Sequence, residues 1–141
     1  MHSKGNTGPV TTFSIAEAAE RSGLTAHTLR YYERDGLMLA PVDRSATGHR
    51  RYTERDLGWI NLVTCLRGTG MPIRDVRRYA DLVRAGDGNE QERLDLLRDH
   101  RATVLAQLAE VTAHLGAIDR KIGIYVDKVE SVLDFERARS V

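Results

Sequence analysis

The sequence contains a single cysteine, Cys65, among 141 residues, and that scarcity removes two kinds of explanation. A lone thiol cannot close an internal disulfide, and a zinc site needs about four ligands. The histidines supply no substitute, because His27, His49, His100 and His114 stand at no ligand spacing relative to Cys65. No metal and no cofactor are expected. Long apolar runs are also missing: nothing reaches the roughly 18 residues of a membrane span. The opening MHSKGNTGPVTT lacks the apolar stretch of a secretory leader. The expected location is the cytoplasm, with no membrane partner. Enzyme signatures are equally scarce, with no Gly-rich phosphate loop, no nucleophile elbow and no recognisable carboxylate pair. The sequence is not expected to be an enzyme.

What is present is the composition of an ordinary folded chain, 41% hydrophobic and 29% charged. The net charge of +1 hides an uneven distribution, since residues 1–84 hold 13 Lys and Arg against 9 Asp and Glu, whereas residues 85–141 hold 8 against 11. The front half is the one suited to phosphate.

Residues 1–12, rich in Gly, Ser and Thr, read as a flexible arm. Ser14 and Glu17 then form a capping box, so a short helix begins there and stops near Ser22-Gly23-Leu24, where Gly23 can turn left-handed. Thr25 caps a second helix, Ala26 to about Glu33, ending at Asp35-Gly36. Two short helices joined by a Gly-containing turn are the outline of a helix-turn-helix. Beyond Leu39, Pro41 breaks any helix, and Val42 to Tyr52 reads as a hairpin or wing. Thr53 caps a third helix running to about Arg67, with Glu54 and Asp56 at its positive end. After Gly68-Thr69-Gly70, Pro72 fits the first position of a fourth helix ending near Arg84, and residues 85–89 form a linker.

The last element, 90–130, is the most regular. Leu94, Leu97, Arg101, Val104, Leu108, Val111, Leu115, Ile118, Ile122, Tyr125 and Val129 alternate spacings of 3 and 4, an a/d seam of five heptads in which only Arg101 is charged. Such a helix is about 60 Å long at about 1.5 Å per residue, more than an 84-residue head can cover. A second copy of the chain is the expected partner; residues 131–141 read as a tail. The expected architecture is thus mainly α: a winged helix-turn-helix over residues 13–84, then a long dimerisation helix forming a coiled coil.

In a helix-turn-helix the second helix presents its N-terminal residues to base edges, while neighbouring basic and hydroxyl groups hold phosphates. Thr25, His27, Thr28, Arg30 and Tyr31 occupy that helix. Arg30 can fork onto guanine or a phosphate, Tyr31 can donate to a phosphate, and Tyr32 is the tyrosine expected to pack inward. In the wing, Arg44, His49, Arg50 and Arg51 give a density of positive charge suited to a phosphate ladder or a minor groove. A charged loop met alone is usually a solvated turn; its place behind a helix-turn-helix favours a contact.

The runs FSIAEAAERSGLTAHTLRYYERDGLM, R-SAT-GHRRY and TERDLGWINLV resemble the DNA-binding domain of the MerR family over about residues 13–84, and the long helix extends the similarity to about residue 130. TLRYYERDGL is the most specific stretch. The resemblance implies an antiparallel dimerisation helix. It also implies backbone or wing contacts by Arg30, Tyr31, Arg44, His49, Arg50 and Tyr52, and activation by bending and untwisting a promoter for RNA polymerase. Members that sense metals or hold an iron–sulfur cluster use several cysteines late in the dimerisation helix, where this sequence has none. With 11 residues after Glu130, an added ligand domain is not expected.

By helical angle Cys65 lies at the margin of the apolar face formed by Trp59, Leu62, Val63 and Leu66. A lone buried cysteine usually only packs, but the segment resembles the branch of the family that answers aldehydes and nitrosothiols through one cysteine here. Cys65 is therefore the candidate sensor, with a noncovalent ligand at the dimer interface as the alternative. A coiled-coil adaptor and a DNA-architectural factor of similar shape remain as rival readings.

Overall fold

The computed structural model describes residues 11–140. The chain divides after Arg98 into two compact units. In the first, β1 (Thr12–Phe13) is followed by α1 (Ile15–Ser22) and α2 (Ala26–Arg34), then by the hairpin β2 (Asp43–Arg44) and β3 (Arg50–Thr53). α3 (Glu54–Gly68) and α4 (Ile73–Arg84) come next, and α5 (Glu90–Arg139) begins in this unit and makes up most of the second.

Local chemistry sets the helix ends. The Ser14 hydroxyl accepts the Glu17 N–H at 3.1 Å while the Glu17 carboxylate accepts the Ser14 N–H at 2.8 Å. The Ser14 backbone donor, helped by its hydroxyl, holds the Glu17 carboxyl below its ordinary range. Gly23 ends α1 at φ 75°, a left-handed angle that a side chain would resist. Thr25 caps α2, and Thr53 caps α3 through a second reciprocal box with Asp56. Pro72 is the cap of α4 rather than its first turn, so that helix starts one residue later than expected, at Ile73.

The sheet order is β1-β3-β2, all antiparallel. Thr12, expected in the flexible arm, instead pairs with Thr53, and Phe13 with Tyr52. The rest of that arm, residues 1–10, lies outside the described residues. On the other edge Asp43 faces Arg51 and Arg44 faces Arg50. Tyr52, Leu29, Leu37, Ile60, Met71, Val63 and Val76 are fully buried and form the centre of the core. The Trp59 indole donates to the Leu37 carbonyl at 2.6 Å and stacks on Tyr79 with ring centres 5.7 Å apart.

Two expectations about the long helix need correction. It does not stop at Glu130 but continues to Arg139, since residues 131–139 contain neither Gly nor Pro and repeat the apolar spacing with Val132 and Leu133. Leu97, a seam residue by its spacing, packs with Leu96 against the core of the first unit. In the second unit Val104 is half-buried, and the apolar seam beyond it is uncovered: Leu108, Val111, Leu115, Ile118, Ile122, Tyr125 and Val129 are all exposed.

Candidate nucleic-acid interface

The wing is built around a turn from Ser45 to Gly48. The Gly48 N–H donates to the Ser45 carbonyl at 2.9 Å, and Gly48 takes φ 84°. The Ser45 N–H donates to the His49 carbonyl at 2.8 Å, and the His49 ring Nδ1 lies in hydrogen-bond contact with Thr47 Oγ1 at 2.9 Å. Arg44 reaches across the turn to donate to the Gly48 carbonyl at 3.3 Å. Short side chains and one left-handed glycine therefore keep the tip narrow.

Between this wing and the two helices runs a groove of about 510 Å³, lined by Arg30 from α2, by Arg44, Ser45, Thr47, Gly48, His49, Arg50 and Arg51 from the wing, and by Ser14 and Ile15 at the start of α1. Four arginines and a histidine thus converge from segments distant in sequence. Arg30 is exposed, whereas Arg50 and Arg51 are partly buried and anchored. Arg50 donates to Glu33 at 2.6 Å, and Arg51 donates to Thr12 Oγ1 at 3.0 Å and to the Thr12 carbonyl at 3.4 Å. A groove of this charge is suited to a polyanion.

The other expected contacts stand apart from the groove lining. Thr25 and Thr28 share a hydrogen bond at 3.0 Å in the α2 cap, and His27 is exposed beside them at the start of that helix. Tyr31 is partly buried, tilted against the buried Tyr32 with ring centres 6.3 Å apart, which matches the inward role expected of Tyr32. Tyr52 corrects the expectation of a wing contact. It is 0% exposed, and its hydroxyl is buried without a hydrogen-bond partner. Burial is the main reason its phenol resists ionisation, with the Glu33 charge adding to the effect. Its part is to support β3 from beneath.

Glu33 is not among the contacts expected from sequence, although it is the only acidic residue of α2. An acid in the last turn opposes the helix dipole, and that misfit is the signal the sequence offers. Ser45 and Thr47, which shape the wing tip, carry no signal beyond turn propensity. Cys65 is exposed, one turn from the end of α3, rather than at the margin of the core. Its carbonyl accepts the Thr69 N–H at 3.1 Å.

A helix-turn-helix followed by a basic hairpin wing defines a winged helix-turn-helix protein. Residues 13–82 match the family described as MerR HTH family regulatory protein. An HTH-type transcriptional regulator of Haemophilus influenzae is 40% identical over 114 residues, covering 81% of this chain and 84% of that one. The transcriptional regulator AdhR of Bacillus subtilis is 41% identical over 92 residues, 65% of each chain. Among solved structures, HiNmlR, described as a MerR family regulator lacking the sensor domain and bound to promoter DNA, is 39% identical with a TM-score of 0.74, covering 82% of this chain and 90% of its own. A MerR family regulator from Listeria monocytogenes is 33% identical with a TM-score of 0.78, covering 90% and 98%. The chain belongs to the MerR family of transcriptional regulators, on the branch that includes AdhR and HiNmlR, and its relatives are regulators rather than enzymes. No helix among the described residues is long and apolar enough to cross a membrane.

Proposed function

We propose that this chain binds a two-fold symmetric promoter duplex as a homodimer and switches transcription by distorting the DNA between promoter elements for RNA polymerase. The observation that carries the reading is the groove, in which Arg30 on the reading helix meets Arg44, His49, Arg50 and Arg51 of the wing. Thr25, His27 and Thr28 stand at the end of α2 that enters a major groove, and the wing arginines meet the phosphates beside it. The relative HiNmlR, whose structure is described as bound to promoter DNA, supports the duplex-binding reading. The uncovered seam from Leu108 to Val129 is the face that a second copy covers, in an antiparallel coiled coil.

The signal is an electrophile, and Cys65 receives it. The exposed Cys65 sulfur adds its electron pair to an aldehyde carbon, losing its proton to solvent as the carbonyl oxygen takes one up, to give a hemithioacetal. With a nitrosothiol the nitroso group passes to Cys65 as the donor leaves as a thiolate. Either product shifts the balance between repressing and activating dimers. The exposed position of Cys65 supports this reading over a noncovalent ligand.

Titrating duplex DNA with the protein at several salt concentrations tests the reading. Binding should weaken steeply as salt rises, because each phosphate contact releases about one counterion. A chain that bound no duplex even at low salt would be an adaptor, not a regulator.

A further inference from the structure

One carboxylate controls two of the arginines that face the groove. Glu33 Oε1 accepts from Arg50 Nε at 2.6 Å and lies 3.9 Å from an Arg44 Nη. The side chains of Glu33 and Arg50 are 16% and 24% exposed, while that of Arg44 is 46% exposed. A short charge-assisted bond between half-buried partners is of the strong kind; the longer, wetter contact to Arg44 is of the weak kind. The anion belongs to the last turn of α2 and the cations to opposite strands of the wing, so the carboxylate ties the reading helix to the wing. The helix itself gives no reason for an acid there. The macrodipole disfavours it, and the C-terminal N–H of Asp35 is satisfied by the carbonyls of Tyr31 and Glu33 without the side chain.

Binding to DNA of arbitrary sequence is governed by charge, whereas a correct site is held by charge together with geometry. A carboxylate inside an arginine groove acts on the two terms in opposite directions. It cancels part of the positive potential that any duplex feels, and it fixes the guanidinium that a correctly seated backbone meets. We infer that Glu33 is a positioning residue that sets the discrimination between cognate and arbitrary duplex, suppressing indiscriminate binding by Arg44 and Arg50. The inference rests on the duplex-binding reading above. A phosphate in the groove displaces the weak contact to Arg44 first, while Arg50 stays oriented.

The test compares wild type, Glu33→Gln, Glu33→Asp and Glu54→Gln on a random-sequence duplex and on a duplex selected from a random pool by the wild-type protein. Glu54 is an exposed acid paired with Arg21 outside the groove, so its variant removes the same charge elsewhere. Glu33→Gln should bind the random duplex about threefold to tenfold more tightly, with a salt slope steeper by about one, and its selected-to-random ratio should fall by at least that factor. Glu33→Asp keeps the charge and should keep random-duplex affinity near wild type, whereas Glu54→Gln should leave the ratio unchanged. Where Glu33→Gln does not fold, Glu33→Ala carries the same expectation. An unchanged ratio in the Glu33 variant, or an equal fall in Glu54→Gln, overturns the inference while leaving duplex binding intact. A wild-type protein that binds neither duplex defeats the duplex-binding reading, and this inference with it.

Discussion

Arg77 of α4 donates to the Asp35 carboxylate at 2.6 Å and, through Nε, to the Asp35 carbonyl at 3.4 Å, tying the C-terminal end of α2 to α4. Arg84, two turns further along α4, donates to the carbonyls of Gly36 and Met38 at 3.0 and 2.6 Å. The segment that leaves α2 is therefore held by two guanidinium groups rather than by regular structure.

The Arg77 contact, with a smaller contribution from Tyr31, lowers the Asp35 carboxyl below its ordinary value of 3.8. A carboxyl whose folded pKa is depressed adds stability above its unfolded pKa, and that stability disappears as pH falls through the folded value. Asp35→Asn should thus lower the melting temperature at neutral pH, and the gap from wild type should begin to narrow near pH 3.8 and close as pH falls through the depressed folded value. Thermal unfolding followed by circular dichroism across that range checks this; a gap that persisted at the acid end would remove the charge from the explanation.

Tyr52 yields the opposite kind of expectation. Its buried hydroxyl has no partner, and an unsatisfied buried polar group is costly by about 1–3 kcal/mol. Tyr52→Phe should leave duplex affinity within about twofold of wild type and raise stability by up to about 1 kcal/mol. A large loss of affinity at unchanged stability would return Tyr52 to the interface.

Arg30 and Arg44 are the exposed arginines of the groove. If each meets a phosphate, Arg30→Ala and Arg44→Ala should each weaken the duplex about tenfold and reduce the salt slope by about one, read from fluorescence anisotropy titrations. A slope equal to wild type would mean that the side chain meets no phosphate. Arg30→Ala would relax sequence preference as well if it reads a base.

Ile118 lies near the middle of the exposed seam. Placing a carboxylate there should abolish pairing, so sedimentation of Ile118→Glu is expected to give a single chain while the wild type gives two. A charged seam residue that left the dimer intact would move the interface elsewhere on the molecule.

Cys65→Ser should bind the duplex as wild type does, and transcription in vitro should no longer answer an aldehyde or nitrosothiol. Retention of the response would transfer sensing to a noncovalent ligand.

Much of this fold is legible in the sequence because it is fixed by neighbours along the chain. The Ser14–Glu17 box, the Gly23 terminator and the Thr25 and Thr53 caps act over three or four residues, and each stands where its local chemistry places it. The misses are long-range. Pairing of Phe13 with Tyr52 joins residues far apart in the chain and turns a tyrosine that reads as an exposed wing residue into the core. The links Arg51–Thr12 and Arg50–Glu33 depend on the same folding of the hairpin against the helices, which no periodicity reports. The helix beyond Glu130 is a different case, because Val132 and Leu133 continue the apolar spacing and no breaker intervenes before Arg139.

The central claim is that two copies of the groove formed by Arg30 and the wing hold one duplex. Hydroxyl-radical footprinting of the wild-type protein on its selected duplex addresses this directly. Two protected patches related by two-fold symmetry, about ten base pairs or a multiple of ten apart, are expected, and both should fade in the Arg30→Ala, Arg44→Ala double variant. A single patch, or symmetric patches indifferent to those two arginines, would contradict the account.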